Sequence, residues 1–176
     1  MIDILPLAAA RHDAVETLLD AAFGRDRHGR TAYRLRDGTS AIPNLSFAAF
    51  DCDRLVGTLQ SWPILLTSET AAVAAQPLTL VGPVAVVPEH QRAGIGRMLM
   101  GHFIQAADAA GEDALMLIGD PEYYDRLFGF NAEHTGGWDV PGPVERRRLL
   151  ARLTSERLHG SKGVLGPAHA DLAALR

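Results

Sequence analysis

The sequence predicts an α/β fold in which a mixed β-sheet is flanked by helices. A valine-rich apolar run over residues 79–87 suits a strand buried on both faces, and helical spacing of apolar residues begins at Ile95. A second apolar strand over residues 114–118 follows that helix, so the helix is a crossover and the two strands run parallel. Two alternating apolar runs earlier in the chain predict an antiparallel hairpin.

The size and composition of the chain are those of a globular domain. Its 176 residues, 47% hydrophobic and 22% charged, predict a single domain over residues 1–176. The net charge of −4 gives no global attraction to nucleic acid or to an anionic membrane. No secretory signal pattern or membrane-length apolar run is apparent, which predicts a cytoplasmic protein.

The N-terminal half reads as strand, helix, hairpin and central strand. Residues 2–7 form a first strand, and a helix with one apolar face follows and closes at Gly24. Residues 24–44 are polar and rich in turn formers, with a short helix around 31–36. The hairpin pairs residues 45–50 with 55–66, and Gly57 marks a bulge or a close backbone approach.

In the C-terminal half, the sequence predicts a short helix, and the patterns that indicate secondary structure are weaker after it. After the strand over 114–118, Asp120 is a good N-cap and Pro121 a good first helical residue. The helix ends near Gly129, where a last strand is expected to begin at Phe130. Further on, leucines with helical spacing predict another helix over residues 145–158.

A glycine loop joins the central strand to the long helix, and it carries the strongest functional signal. The segment Q-R-A-G-I-G begins at Gln91. Because Gly94 and Gly96 lack a Cβ, the backbone N–H groups and the positive end of the helix dipole can approach an anion closely. Arg92 and Arg97 add positive charge beside the loop. The anion is most simply a phosphate or a pyrophosphate.

Three glycine-loop motifs compete for this segment. A dinucleotide fingerprint requires a third glycine where Leu99 stands, and it requires an acidic residue about 20 positions further on, which is missing. A Walker loop requires a G-K-S/T triplet that is also missing. The pattern Q/R-x-x-G-x-G/A is filled completely by Gln91, Gly94 and Gly96.

The wider segment V-A-V-V-P-E-H-Q-R-A-G-I-G-R-M-L resembles motif A of the GNAT (Gcn5-related N-acetyltransferase) superfamily. The resemblance covers roughly residues 1–135, and it therefore implies a domain core over 1–135 with a C-terminal extension over 136–176. It implies a mostly antiparallel central sheet with a splayed parallel strand pair, and acetyl-CoA as cosubstrate with no metal. It further implies transfer of the acetyl group to a primary amine. The implied cofactor-binding residues are Val84, Val86, Gln91, Arg92, Ala93, Gly94, Ile95, Gly96 and Arg97.

The resemblance also implies a tyrosine general acid, which protonates the leaving thiolate. The family pattern is Y-x-x-x-G-F, whereas this chain has Y-D-R-L-F-G-F, with one residue more between Tyr124 and Gly129. Tyr124 is the favoured acid and Tyr123 the alternative. No general base is visible, because the central strand carries no acidic residue, and Glu89 and His90 lie beyond it in the loop.

The acceptor is predicted to be a small-molecule or peptide amine. Residues 24–44 would lie over its site in a GNAT-like fold, and Gln60, Trp62 and Trp138 are candidate contacts. For the oligomeric state, both a monomer and a homodimer are compatible with the sequence. Two other functions compete: a non-catalytic acyl-CoA-binding or regulatory module, and a nucleotide-binding domain. The single cysteine, Cys52, excludes a disulfide within the chain and a cysteine-rich metal site.

Overall fold

The computed structural model describes residues 1–169. In the N-terminal half, helices and strands follow one another in the order that the sequence predicts. The α-helices are α1 (His12–Phe23), α2 (Thr31–Arg34), α3 (Ile95–Ala109) and α4 (Pro121–Phe128). The strands are β1 (Ile2–Pro6), β2 (Phe47–Asp51), β3 (Arg54–Thr67), β4 (Gln76–Val86), β5 (Ala114–Ile118), β6 (Trp138–Asp139), β7 (Leu149–Leu153) and β8 (Gly163–Pro167).

The strand pairing confirms the predicted mixed sheet. Most neighbouring strands run antiparallel, and the parallel pairs are β4 with β5 and β6 with β8. The chain divides into two compact units, and β3 and β4 each contribute residues to both. The single-domain prediction over 1–176 stays a prediction, and its last part, residues 170–176, lies outside the described residues.

The first unit comprises Met1–His28, Ala41–Ser61 and Val81–Gly111. In it β1 pairs antiparallel with β2, and β2 pairs antiparallel with β3. Asp51 lies opposite Arg54, so the predicted hairpin is confirmed, with a two-residue turn in which Cys52 has a φ of 54°. Val15, Leu18 and Leu19 of α1 are buried in one cluster with Ala85 of β4.

A bulge interrupts the hairpin where the sequence suggested one. Ala49 pairs with Gly57 but Phe50 pairs with Leu55, so Val56 is an extra residue in β3. A Cβ added to Gly57 would lie 3.0 Å from a side-chain carbon of Ile95 in α3. The glycine therefore allows α3 to pack closely on the strand.

The second unit comprises Gly29–Ser40, Trp62–Leu80 and the described residues from Glu112 onward. The expected parallel pairing of β4 and β5 is confirmed, with Thr79 opposite Leu115 and Leu80 opposite Met116. Strand β7 pairs antiparallel with β5, and β8 pairs antiparallel with the end of β3. No helix in the described part of the chain is both long and apolar enough to cross a lipid bilayer.

Two predictions for the C-terminal half are wrong. The helix over 145–158 is replaced by a 3-10 turn, Arg146–Arg148, and by strand β7. Leu149 and Leu150 point to opposite faces of a strand and are both fully buried, so the leucine spacing reflects burial on two faces rather than helical periodicity. The strand expected to begin at Phe130 is reduced to an isolated bridge between Asn131 and Ala151.

Candidate active site

The glycine loop lies in the first unit, between the end of β4 and the start of α3. A 3-10 turn, Pro88–His90, follows β4, and Gly94 is the N-cap residue of α3 with a φ of 77°. That left-handed conformation favours glycine. A Cβ at Gly94 would meet no atom within 4 Å, so the backbone conformation, not crowding within the chain, requires the glycine.

The loop has the properties of an anion site. The N-cap of α3 makes no side-chain hydrogen bond, so the first-turn N–H groups of Ile95, Gly96 and Arg97 have no capping side chain. The helix dipole adds partial positive charge at the same end. Arg92 and Arg97 are exposed. Backbone donors and two cationic side chains therefore lie within the six consecutive residues 92–97, which suits a phosphate or pyrophosphate group.

The end of β4 adjoins the loop. Val84 and Val86 are half-buried and alternate with buried Ala85, as the pleat of a strand requires. A Cβ added to Gly96 would lie 3.8 Å from Cγ2 of Val86, which is ordinary van der Waals contact. The structure thus brings the predicted strand and loop residues together within one unit. Upstream, Pro83 lacks an N–H group and cannot donate to a strand ladder.

The titratable groups just before the loop are engaged in local contacts. Arg54 donates to Glu89 at 2.6 Å, and a backbone hydrogen bond together with this contact holds the pKa of Glu89 below its ordinary value. His90 lies with Nε2 3.6 Å from an Asp51 carboxylate oxygen. A carboxylate with a lowered pKa is a weak base, so Glu89 is a poor candidate for the general base.

The two candidate tyrosines lie on α4, in the second unit. Asp120 caps this helix by accepting a hydrogen bond from the Glu122 N–H at 3.2 Å, as the sequence predicted. Gly129, with a φ of 75°, ends it. The Gly129 N–H donates to the carbonyls of Asp125 and Tyr124, and the Phe130 N–H donates to the Tyr124 carbonyl at 3.2 Å. The additional residue between Tyr124 and Gly129 thus lies within α4, which extends to Phe128.

Tyr124 is half-buried and packs against neighbouring aromatic rings. Its ring lies 4.9 Å from the Tyr123 ring in an edge-to-face arrangement and 6.4 Å from the Phe130 ring. Burial, and secondarily the neighbouring Tyr123, raise the pKa of Tyr124 to about 12. Its hydroxyl therefore remains protonated throughout the neutral range and can act as a hydrogen-bond donor.

The candidate acceptor contacts have different environments. Trp138 is completely buried and donates its indole N–H to the Ser161 hydroxyl at 2.9 Å, so it is a core residue and not a surface for a substrate. Gln60 is buried and Trp62 is half-buried. The sequence reasoning missed a contact that involves Trp62, the guanidinium of Arg36 stacked on its ring. The arginine-rich composition of residues 25–36 was the available signal.

Comparison with known proteins identifies the family of this chain. The family model described as an acetyltransferase (GNAT) domain matches residues 3–132. The chain therefore belongs to the GNAT acetyltransferase family. An uncharacterized N-acetyltransferase from Streptomyces avermitilis is 29% identical over 145 residues, which are 81% of this chain. The chain spans only 34% of the length of that curated relative.

Solved structures show the same fold. The GNAT family N-acetyltransferase YhbS of Escherichia coli, in complex with CoA, has a TM-score of 0.69 and 21% identity, with 96% of this chain and 89% of that chain covered. A GNAT family acetyltransferase from Brucella melitensis, in complex with acetyl-CoA, has a TM-score of 0.64 and 24% identity, with 97% of both chains covered. The expected fold class is thereby confirmed.

Proposed function

We propose that this chain transfers the acetyl group of acetyl-CoA to a primary amine of a small molecule or peptide. The observation that carries the proposal is the uncapped start of α3 behind the left-handed Gly94, with Arg92 and Arg97 beside it. This arrangement suits the pyrophosphate of CoA, because it supplies backbone donors, a helix dipole and two positive charges. The CoA and acetyl-CoA complexes of the two structural relatives support the same ligand.

The pantetheine arm would lie along β4 at Val84 and Val86, where strand backbone groups can pair with its amides. A backbone N–H at this position can also polarise the thioester carbonyl, as donors of an oxyanion hole do. The other residues proposed to contact the cofactor are those of the loop, from Gln91 to Arg97. No metal enters this proposal, and within residues 1–169 no three side chains of the types His, Cys, Asp and Glu are grouped to hold one.

The proposed reaction is direct attack of the neutral amine on the thioester carbon. A C–N bond forms, the C–S bond breaks, and the amine loses one proton to solvent. Tyr124, with Tyr123 as the alternative, is the proposed general acid: its hydroxyl gives a proton to the leaving thiolate, and the tyrosine regains a proton from solvent. Because a pKa of about 12 makes the Tyr124 hydroxyl a weaker acid than a thiol at about 8.5, its first role is a hydrogen bond to the developing negative charge.

The test combines a binding measurement with a turnover measurement. Acetyl-CoA should raise the melting temperature, because a ligand that binds only the native state stabilises that state. Release of CoA should then be followed with a panel of amines that includes small amines, amino acids and peptides. Binding without turnover of any amine would instead support the non-catalytic acyl-CoA-binding module. Stabilisation by nucleotides but not by CoA would contradict both assignments.

A further inference from the structure

The start of β7 lies beside the turn that leads from β5 into α4. Strands β5 and β7 pair antiparallel, with Ile118 opposite Leu149. One further hydrogen bond continues this ladder, because the Gly119 N–H donates to the Arg148 carbonyl at 3.0 Å. Directly opposite residues of an antiparallel pair have their side chains on the same face of the sheet. Gly119 and Arg148 therefore share one face at the end of β5.

The ring of Tyr124 lies over Gly119 on this face. A Cβ built on Gly119 would lie 2.5 Å from Cε2 and 2.8 Å from Cδ2 of the ring. The direction in which a side chain would leave Gly119 thus points at Tyr124. Because neighbouring strands are about 4.8 Å apart, the Arg148 side chain begins about one strand spacing from the backbone that the ring covers.

Three consecutive arginines precede the core of β7, and they differ in their partners. Arg146 contacts an Asp139 carboxylate oxygen at 2.8 Å, and Arg147 forms an ion pair with Glu122. Arg148 is exposed, and in the described part of the chain no carboxylate forms an ion pair with it. The charge of Arg148 is therefore not neutralised by a direct contact and can act on other groups nearby.

The hydroxyl of Tyr124 is such a group. Burial chiefly, and then the neighbouring Tyr123, raise the pKa of Tyr124 to about 12, whereas the charge of Arg148 lowers it and that of Asp120 raises it. A nearby positive charge favours the ionised form of an acid over its neutral form. Arg148 thus opposes the effect of burial, and it favours the phenolate that remains when the Tyr124 hydroxyl gives up its proton.

We infer that the positive charge of Arg148 assists acetyl transfer by stabilising the Tyr124 phenolate that forms when the hydroxyl protonates the leaving thiolate. The inference rests on the proposed function, in which Tyr124 is the general acid. In this step the O–H bond of Tyr124 breaks, an S–H bond forms on CoA, and the negative charge moves from sulfur to the phenolate oxygen. The phenolate then regains a proton from solvent. Arg148 acts through Tyr124 and is not itself a catalytic residue.

Ionisation at position 124 can be measured without turnover. 3-Fluorotyrosine, incorporated at this position of the full chain, ionises at a lower pH than tyrosine, and its ¹⁹F chemical shift follows formation of the phenolate. Arg148→Gln should raise the pH midpoint of this titration by about 0.3–0.7, a 2–5-fold change in the equilibrium that is typical of an exposed charge pair. Arg148→Lys should keep the parental midpoint, because it retains the charge. In about 1 M salt the effect of Arg148→Gln should shrink, because exposed charges are screened.

Arg126→Gln is the matched control. Arg126 is an exposed arginine of the same helix, and it lies two residues after Tyr124, which is about 200° around the helix. Its replacement removes the same charge and should leave the midpoint unchanged. In steady-state kinetics Arg148→Gln should lower kcat by about 2–5-fold, whereas Arg148→Lys and Arg126→Gln should retain a rate close to that of the parent protein.

An unchanged midpoint in Arg148→Gln would overturn the inference, as would an equal rise in Arg126→Gln. A parental kcat in Arg148→Gln, or a loss of rate in Arg148→Lys as large as in Arg148→Gln, would also overturn it. Turnover by the parent protein separates the inference from the proposed function. Acetylation of an amine with an unchanged midpoint in Arg148→Gln would contradict the inference alone. A parent protein that acetylates no amine would contradict the proposed function, and the role of Arg148 would fail with it.

Discussion

A Cβ placed on Gly119 would lie 2.5 Å from Cε2 of Tyr124. Gly119 directly follows β5 and precedes Asp120, the N-cap residue of α4, and its N–H donates to the Arg148 carbonyl at 3.0 Å. The ring of Tyr124 therefore packs against bare backbone at the strand-to-helix turn. This contact fixes the position of the proposed catalytic tyrosine within the second unit.

Gly119→Ala should consequently displace the Tyr124 ring. Overpacking at such a contact costs about 1–3 kcal/mol of unfolding free energy, and we expect the rate of acetyl transfer to fall while acetyl-CoA still raises the melting temperature. Urea unfolding and steady-state kinetics measure the two effects. Gly136→Ala is the control, because a Cβ there would meet nothing within 4 Å. An unchanged rate in Gly119→Ala would show that the ring position is unimportant.

The glycine loop gives a prediction about cofactor binding. Gly96→Glu places bulk and negative charge at the first turn of α3, where a pyrophosphate is expected, and should abolish stabilisation by acetyl-CoA. Gly101→Glu introduces the same side chain in the same helix, where a Cβ meets nothing within 4 Å, and should retain that stabilisation. Thermal unfolding with and without acetyl-CoA distinguishes the variants. A ligand-induced shift that survives in Gly96→Glu would contradict the assignment of the loop.

Two conservative variants distinguish the roles of Tyr123 and Tyr124. Tyr124→Phe removes one hydroxyl and almost no volume, so acetyl-CoA binding should persist while kcat falls by about 10²–10⁴-fold. Tyr123→Phe should have a much smaller effect, since adjacent side chains on a helix point about 100° apart. The measurement is kcat for both variants on the best acceptor. Loss of rate in Tyr123→Phe alone would show that Tyr123 is the general acid. Rates close to that of the parent protein in both variants would contradict a mechanism with a tyrosine acid.

The stability of the second unit should depend on pH through Asp113. Arg157 donates to both carboxylate oxygens, at 2.8 and 2.7 Å, and this contact lowers the pKa of Asp113 to about 2. A lowered pKa contributes stability that is present above the unfolded-state value of about 4 and is lost as the pH falls through the folded-state value. The Asp113 side chain is 33% exposed, so solvent screening reduces the contribution to about 1 kcal/mol.

Asp113→Asn should accordingly destabilise the protein by about 1 kcal/mol at pH 7 and by about half as much at pH 3. Urea unfolding at the two pH values provides the measurement. Asp139→Asn, which removes an exposed ion pair with Arg146, is the comparison and should have a smaller effect at pH 7. A difference between parent and Asp113→Asn that stays constant down to pH 3 would contradict the assignment.

The sequence alone determined those parts of the fold whose signals are local. The strand before the glycine loop, helix α3 and strand β5 were all predictable, because burial on two faces and helical spacing are properties of short segments. The N-cap at Asp120 and the helix end at Gly129 were predictable for the same reason. The glycine motif at Gln91–Gly96 was sufficient to suggest the family that the comparison identifies.

Only the tertiary structure decided what depends on contacts between distant segments. Leu149 and Leu150 have a spacing that fits both a helix and a buried strand, and pairing of β7 with β5 selects the strand. Trp138 could have faced a substrate, but a core assembled from several segments encloses it. The stacking of Arg36 on Trp62 joins residues 26 positions apart in the chain. Periodicity along the chain carries no information about which distant side chains meet, because packing of the folded chain selects those partners.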